Sequence, residues 1–557
     1  MYFGGDSRRS ATRGDAANRR PRLALVVALL GCLVAAPQRG GAVVRSCGAD
    51  ALANTANVLC ASPSGPCTGT SVTVGATLEV TSGGCAFDLG GRALVVDHTF
   101  DMIGSGFITI ANAGDVTITD AGRLRARGDY AVTPIAEGGT ITIQSSGTLD
   151  HDGTIDVSGD PSGMIDLRFA GSVTLQPGSQ LRGVGTSAAD ESDGGTLNIV
   201  STGGSITVNG DVLMNGEIYG GGGDVTMQAA GNLDVLKPIE ASGGEDGGGS
   251  IDLASGDDLT ITAYLDATSG NAGGGGGEID LEAGVDSLGG AMSGGALTID
   301  EATMKLEGSS GSGFGGAGGD FRASANGPML VTSTATIRVN AGSGFDGSGG
   351  TIFMTTADDD MSTVSALDDD LTLQGMVKGK SGDGGGTGGD LTLLAGRDLN
   401  VSADVDLGGT AAGGSVQAES GGTLALTSQI NAGASTMTGS GGAFTAKACT
   451  VSLNASSALL ANGEWGGQIE LTSREHMTIN AGSDVDASGF FGSIRLVTRS
   501  FGTCSNNPSR HCVSTADCIV GCSVGSCQNV NPDTGGTTTQ FSPPPDLIED
   551  PSLTACQ

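Results

Sequence analysis

The residues most able to do chemistry in this 557-residue chain are carboxylates, and they recur between two apolar neighbours. The triplets are Ile155-Asp156-Val157, Ile165-Asp166-Leu167, Leu233-Asp234-Val235, Ile251-Asp252-Leu253, Leu265-Asp266-Ala267, Ile279-Asp280-Leu281, Val405-Asp406-Leu407 and Val485-Asp486-Ala487. Neighbouring side chains of a strand face opposite ways, so each of these carboxylates is expected to point outward. Stacked in a row they would hold calcium. Spread over a solvated face they would instead block association between sheets, and that is the preferred reading. Two denser groups, Asp358-Asp359-Asp360 and Asp368-Asp369-Asp370, have Lys378 and Lys380 nearby and offer the acids of a polysaccharide lyase or hydrolase. The chain holds one tryptophan, Trp465, and four tyrosines, a poor supply of sugar platforms. A solvated inserted loop is the preferred account of both groups. His98, His151, His476 and His511 are scattered with no serine or cysteine motif beside them, so no Ser-His-Asp arrangement is expected.

The elements that must position these residues form a repeat. Two glycines, a variable residue and a short alternating strand recur, as in Gly138-Gly139-Thr140-Ile141-Thr142-Ile143, Gly248-Gly249-Ser250-Ile251-Asp252-Leu253 and Gly466-Gly467-Gln468-Ile469-Glu470-Leu471. The later third residues fall at 390, 415, 443, 468 and 493, steps of 25, 28, 25 and 25. With 100 glycines, only 15 prolines and 38% hydrophobic residues in strict alternation, the chain reads as ordered rather than as a linker. Three short strands per repeat, such as those around Ile251, Leu259 and Leu265, predict an all-β solenoid, a single-stranded parallel β-helix over residues 71–498. It would have roughly 16 coils of about 25–28 residues and a length on the order of 75–80 Å. Glycine is expected to turn the corners at positive φ. The longer steps from 278 to 320 and from 351 to 390 mark inserted loops.

The ends differ from the array. Arg8, Arg9, Arg13, Arg19, Arg20 and Arg22, then the apolar run Leu23 to Ala36, read as a signal peptide over 1–42 with cleavage after Ala42. Leu29-Leu30-Gly31-Cys32 offers the competing reading, lipidation of Cys32 as a lipid anchor. No later stretch is apolar enough for a transmembrane span. An exported chain suits disulfides: Cys47, Cys60, Cys67 and Cys85 crowd the N-terminal cap and the first strands after it (cap 43–70). Cys504, Cys512, Cys518, Cys522, Cys527 and Cys556 crowd a C-terminal segment (499–557). These ten are the disulfide candidates, and Cys449 stands alone within the array. The formal charge is −35; loss of residues 1–42 leaves 19 basic against 59 acidic residues, or −40. So acidic a surface repels phosphate backbones, which excludes nucleic acid as a partner.

Two likenesses follow from these motifs. Gly315-Gly316-Ala317-Gly318-Gly319-Asp320 and Gly385-Gly386-Thr387-Gly388-Gly389-Asp390 resemble the opening of the calcium-binding repeats-in-toxin motif, which makes Asp320 and Asp390 calcium candidates. The tandem nine-residue turns of that motif are missing, so no cofactor is the expectation. The Gly-Gly-Xaa-Ile-Xaa-Leu repeats resemble the right-handed β-helical stalks of bacterial surface proteins of the filamentous-haemagglutinin, adhesin-stalk kind. That resemblance implies right-handed coils and an exported, extracellular or surface-bound bacterial protein. Its role would be structural or adhesive, without catalysis, its partners an extracellular polysaccharide or protein. It carries no functional residues across. Neither an autotransporter barrel nor an Asn-Pro-Asn-type secretion motif accompanies it. The alternatives are a polysaccharide-active β-helix enzyme and a calcium-stabilised surface-layer or matrix protein.

Overall fold

A computed structural model describes residues 71–553, apart from short gaps and the runs 129–136, 187–191, 286–293, 357–368, 513–526 and 529–539. The expected signal peptide and N-terminal cap, with Cys32, Cys47, Cys60 and Cys67, lie outside the described residues, as do Asp358 to Asp360 and Asp368. Every element among the described residues is a β-strand.

Each repeat contributes three strands, and each strand pairs in parallel with its counterpart in the next repeat. Ser250–Ser255 pairs with Glu278–Ala283, Leu259–Ile261 with Leu297–Ile299, and Leu265–Asp266 with Met304 and Lys305. Three ladders result. The first contains the strands that follow the glycine pairs, the second the middle strands, and the third the last strand of each repeat. Two long strands, Ala443–Leu453 and Gln468–Ile479, run through the first and second ladders and fuse them into one 29-stranded sheet. The third ladder is a separate 16-stranded sheet.

Alternation decides which side chains meet. In the first ladder Ile251 stacks on Ile279 and Leu253 on Leu281, all fully buried. Like stacks on like because the parallel register repeats the sequence pattern, and each such side chain contributes about 1.5–3 kcal/mol by leaving water. The core is one continuous apolar column from Val74 to Leu496.

The doubled glycines correct the expected corner chemistry. Of the described glycine pairs that lead into first-ladder strands, only that of Gly466 has positive φ, at 70°. The others are demanded by close approach of backbone. A Cβ on Gly249 would lie 2.0 Å from the Gly223 carbonyl oxygen, and one on Gly277 would lie 1.9 Å from that of Gly249. The amide of the second glycine donates back to its own repeat, Gly277 to the Ala267 carbonyl at 2.7 Å. The next amide reaches across, Glu278 to the Gly249 carbonyl at 2.9 Å. These amides are committed to the backbone, which leaves them no part in cradling an anion.

The ladders also run past residue 498. Gln540–Ser542 extends the third ladder and Asp546–Glu549 the first. Gly502–Cys504, Asn507–Cys512 and Cys527–Gln528 form a small antiparallel sheet of their own.

Candidate functional site

The triplet aspartates do not form one row; the register divides them among three faces. Asp156, Asp266, Asp406 and Asp486 belong to the third ladder, where each ends a strand. Each accepts the amide two residues on: Ser158 at 3.1 Å, Thr268 at 3.1 Å, Gly408 at 3.3 Å and Ser488 at 2.8 Å. This is the local turn an aspartate makes at a strand end, so these carboxylates build corners. Stacking brings cations of neighbouring repeats to the same face. Lys305 lies 3.2 Å from Asp266, Lys380 2.6 Å from Asp406, and Arg127 3.4 Å from Asp101. Asp234 alone among the triplet aspartates faces outward from the second ladder, whose outer column is rich in threonine, as at Thr207 and Thr260.

Asp166, Asp252 and Asp280 lie on the first ladder. Asp166 is held by Arg168 Nε at 3.0 Å and Asn198 Nδ2 at 2.8 Å, and is buried beneath them, against the expectation of a solvated position. Asp252 and Asp280 stand in register on adjacent strands, about 4.8 Å apart along the ladder. Burial pushes Asp252 up to about 6, reinforced by Glu282 and Glu278. Burial also pushes Asp280 up to about 7, reinforced by Glu282 and Asp252, with Arg322 opposing. Such a pair holds a proton close to neutral pH.

The residues put forward for enzyme chemistry are partnered apart. Arg397 grips Asp370 through Nε at 2.7 Å and Nη2 at 2.5 Å, which holds that carboxyl below its usual range. Lys380 belongs to Asp406, and Lys378 lies in register with Arg338 and Asp406 on the third ladder. Asp320 and Asp390 each open a first-ladder strand with Thr351 between them, and Ser415 Oγ donates to Asp390 at 2.5 Å. No group of three or more His, Cys, Asp or Glu side chains is arranged to hold a metal ion among the described residues. His151 sits in the core, stacked between Ile118 and Leu175, with Nε2 3.4 Å from the Gln180 carbonyl.

A site the sequence argument missed lies at the corner leading into the first ladder. An open groove of about 550 Å³ runs across the starts of four successive strands, at Asp390, Ser415, Ala443 and Gln468. Its floor is paired glycines and its wall is aromatic. Trp465 stacks on Phe491 with centroids 5.9 Å apart and planes at 7°, and Phe490 lies 5.9 Å from Trp465 at 48°. All three are exposed, Phe490 and Phe491 by 75% and 74%. Backbone register sets the stack: Phe491 N donates to Trp465 O at 3.0 Å, and Phe490 N to Glu464 O at 2.8 Å. The available signal was the 25-residue step, since Trp465 and Phe490 both stand three residues before a strand.

Cys85 and Cys449 are disulfide-bonded. They lie near opposite ends of the first ladder, so each takes a different partner. Cys85 is one of the ten disulfide candidates; Cys449, bonded as well, is not among them. The side chains of Cys504, Cys512 and Cys527, and all of Cys518, Cys522 and Cys556, lie outside the described residues. No helix among the described residues is long and apolar enough to cross a membrane. No protein-family model, curated protein or solved structure matches the chain.

Proposed function

We propose that this chain is an exported bacterial surface protein, a right-handed parallel β-helix of roughly 16 coils with disulfide-stapled ends. It acts as a structural or adhesive element and not as a catalyst. The observation that carries this reading is the parallel stacking of strands in three ladders, repeat upon repeat between Ser71 and Glu549, with corner glycines and corner aspartates spent on the stacking itself. The Arg-rich leader and the bonded cysteines support export. The acidic surface favours extracellular polysaccharide or protein over nucleic acid as partner. Intact cells probed with antibody against residues 71–498, with mass spectrometry of the mature N-terminus, test it. Surface label together with a chain starting at Val43, or at lipidated Cys32, is expected. An uncleaved chain confined to the cytoplasm would refute it.

A second reading, a polysaccharide-active enzyme, draws on Asp252 and Asp280, two adjacent carboxyls that hold a proton near neutrality. The groove beside Trp465 is not lined by either residue.

A further inference from the structure

We propose that the groove between Asp390 and Gln468 binds a neutral polysaccharide chain, with Trp465 and Phe491 as its stacking platform. This deepens the surface-protein reading and rests on it.

Three clustered aromatic side chains left in water cost free energy that a merely structural corner has no reason to bear. The array can bury large aromatics completely, as it does Phe100, Phe169 and Phe321. The backbone that carries the trio is held in place, because consecutive turns are hydrogen-bonded one on the other. A platform fixed before binding loses little freedom when a ring stacks on it.

The rest of the groove matches sugar hydroxyls. Asp390, Ser415, Ser440 and Gln468 line it with both donors and acceptors, and the glycine floor lets a flat chain approach the backbone. Four strand starts cover about 14 Å, the reach of a short oligosaccharide. Charge then selects among glycans. No lysine or arginine lines the groove, one carboxylate does, and the whole chain is at −35. Uronate or sulfated polymers are repelled; neutral ones are not.

The same corner carries further exposed aromatics. Tyr219 and Phe345, exposed by 44% and 64%, also precede glycine pairs. Tyr219, Phe345 and Trp465 follow one another at intervals of four strands, about 19 Å each. A long polymer could touch this edge repeatedly.

Affinity electrophoresis of the purified chain tests the proposal, through gels holding mixed-linkage β-glucan, xylan, glucomannan or, as the anionic control, polygalacturonate. Retardation by at least one neutral glycan is expected, with Trp465→Ala and Phe491→Ala each weakening it about tenfold while the melting curve stays put. Passage through every neutral gel without retardation would overturn the proposal. So would full retention by the Trp465→Ala variant, or equal retardation by polygalacturonate. Self-association that disappears in Trp465→Ala, in place of glycan binding, would also overturn it and assign the platform to contacts between copies. A surface-displayed chain that no glycan retards sinks this proposal alone; a cytoplasmic chain sinks the surface reading whatever the gels show.

Discussion

At the residue scale, two titrating positions oppose each other. His151 is buried in the apolar column and burial lowers it to about 4, against the Gln180 carbonyl and Asp150, which raise it. The unfolded chain binds that proton near pH 6.5, the folded one only near pH 4, so stability falls as pH drops through that window. His151→Leu, matching Leu175 in the next repeat, is expected to remove about 2.5 kcal/mol of this acid sensitivity in urea melts at pH 4.5 against pH 7.5. Asp280 behaves oppositely. Its folded value is raised to about 7, so the folded state holds the proton and stability falls as pH rises from about 4 to 7. Asp280→Asn is expected to be more stable than the parent at pH 8, on the order of 2–4 kcal/mol, and no different at pH 3. An unchanged profile in either variant would show that the site is more solvated than its burial implies.

At the element scale, glycine placement is the sharpest test of the ladders. Gly275 and Gly277 lie two residues apart in one glycine run. A Cβ on Gly277 meets the Gly249 carbonyl oxygen at 1.9 Å, whereas one on Gly275 meets nothing closer than 3.6 Å. Gly277→Ala is therefore expected to destabilise by about 1–3 kcal/mol, and Gly275→Ala to leave thermal melting almost unchanged. The strands themselves were legible in the sequence, because a period of about 25 residues and alternation within it are local signals. Ser250, Glu278 and Gln468 begin strands where the glycine pairs place them. The role of the glycines was not legible, since a short approach between backbones one repeat apart leaves no mark different from a positive-φ turn. The grouping of carboxylates was hidden for a related reason. Asp252 and Asp266 look alike in sequence, yet one faces out from the first ladder and the other closes a corner of the third.

At the scale of the whole molecule, long ladders turn sequence distance into spatial stacking. Trp465 and Phe491 meet because one repeat separates them, and that meeting converts a chain poor in aromatic residues into one with a platform. Charge acts at this scale too. With −35 distributed over the chain, self-repulsion is screened by salt, so the melting temperature is expected to rise between 10 and 150 mM NaCl, by about a few degrees. Added chelator is expected to leave it unmoved; a chelator-induced drop would instead assign calcium to Asp320, Asp390 or the outer aspartates. The central claim, that this is a scaffold and not a catalyst, is tested most directly by product release. The purified chain is incubated with the neutral and acidic polysaccharides named above, and new reducing ends and unsaturated uronates are measured from pH 4 to 9. No product above the buffer blank is the predicted result. Product that forms with the parent and is lost in Asp280→Asn would contradict the account.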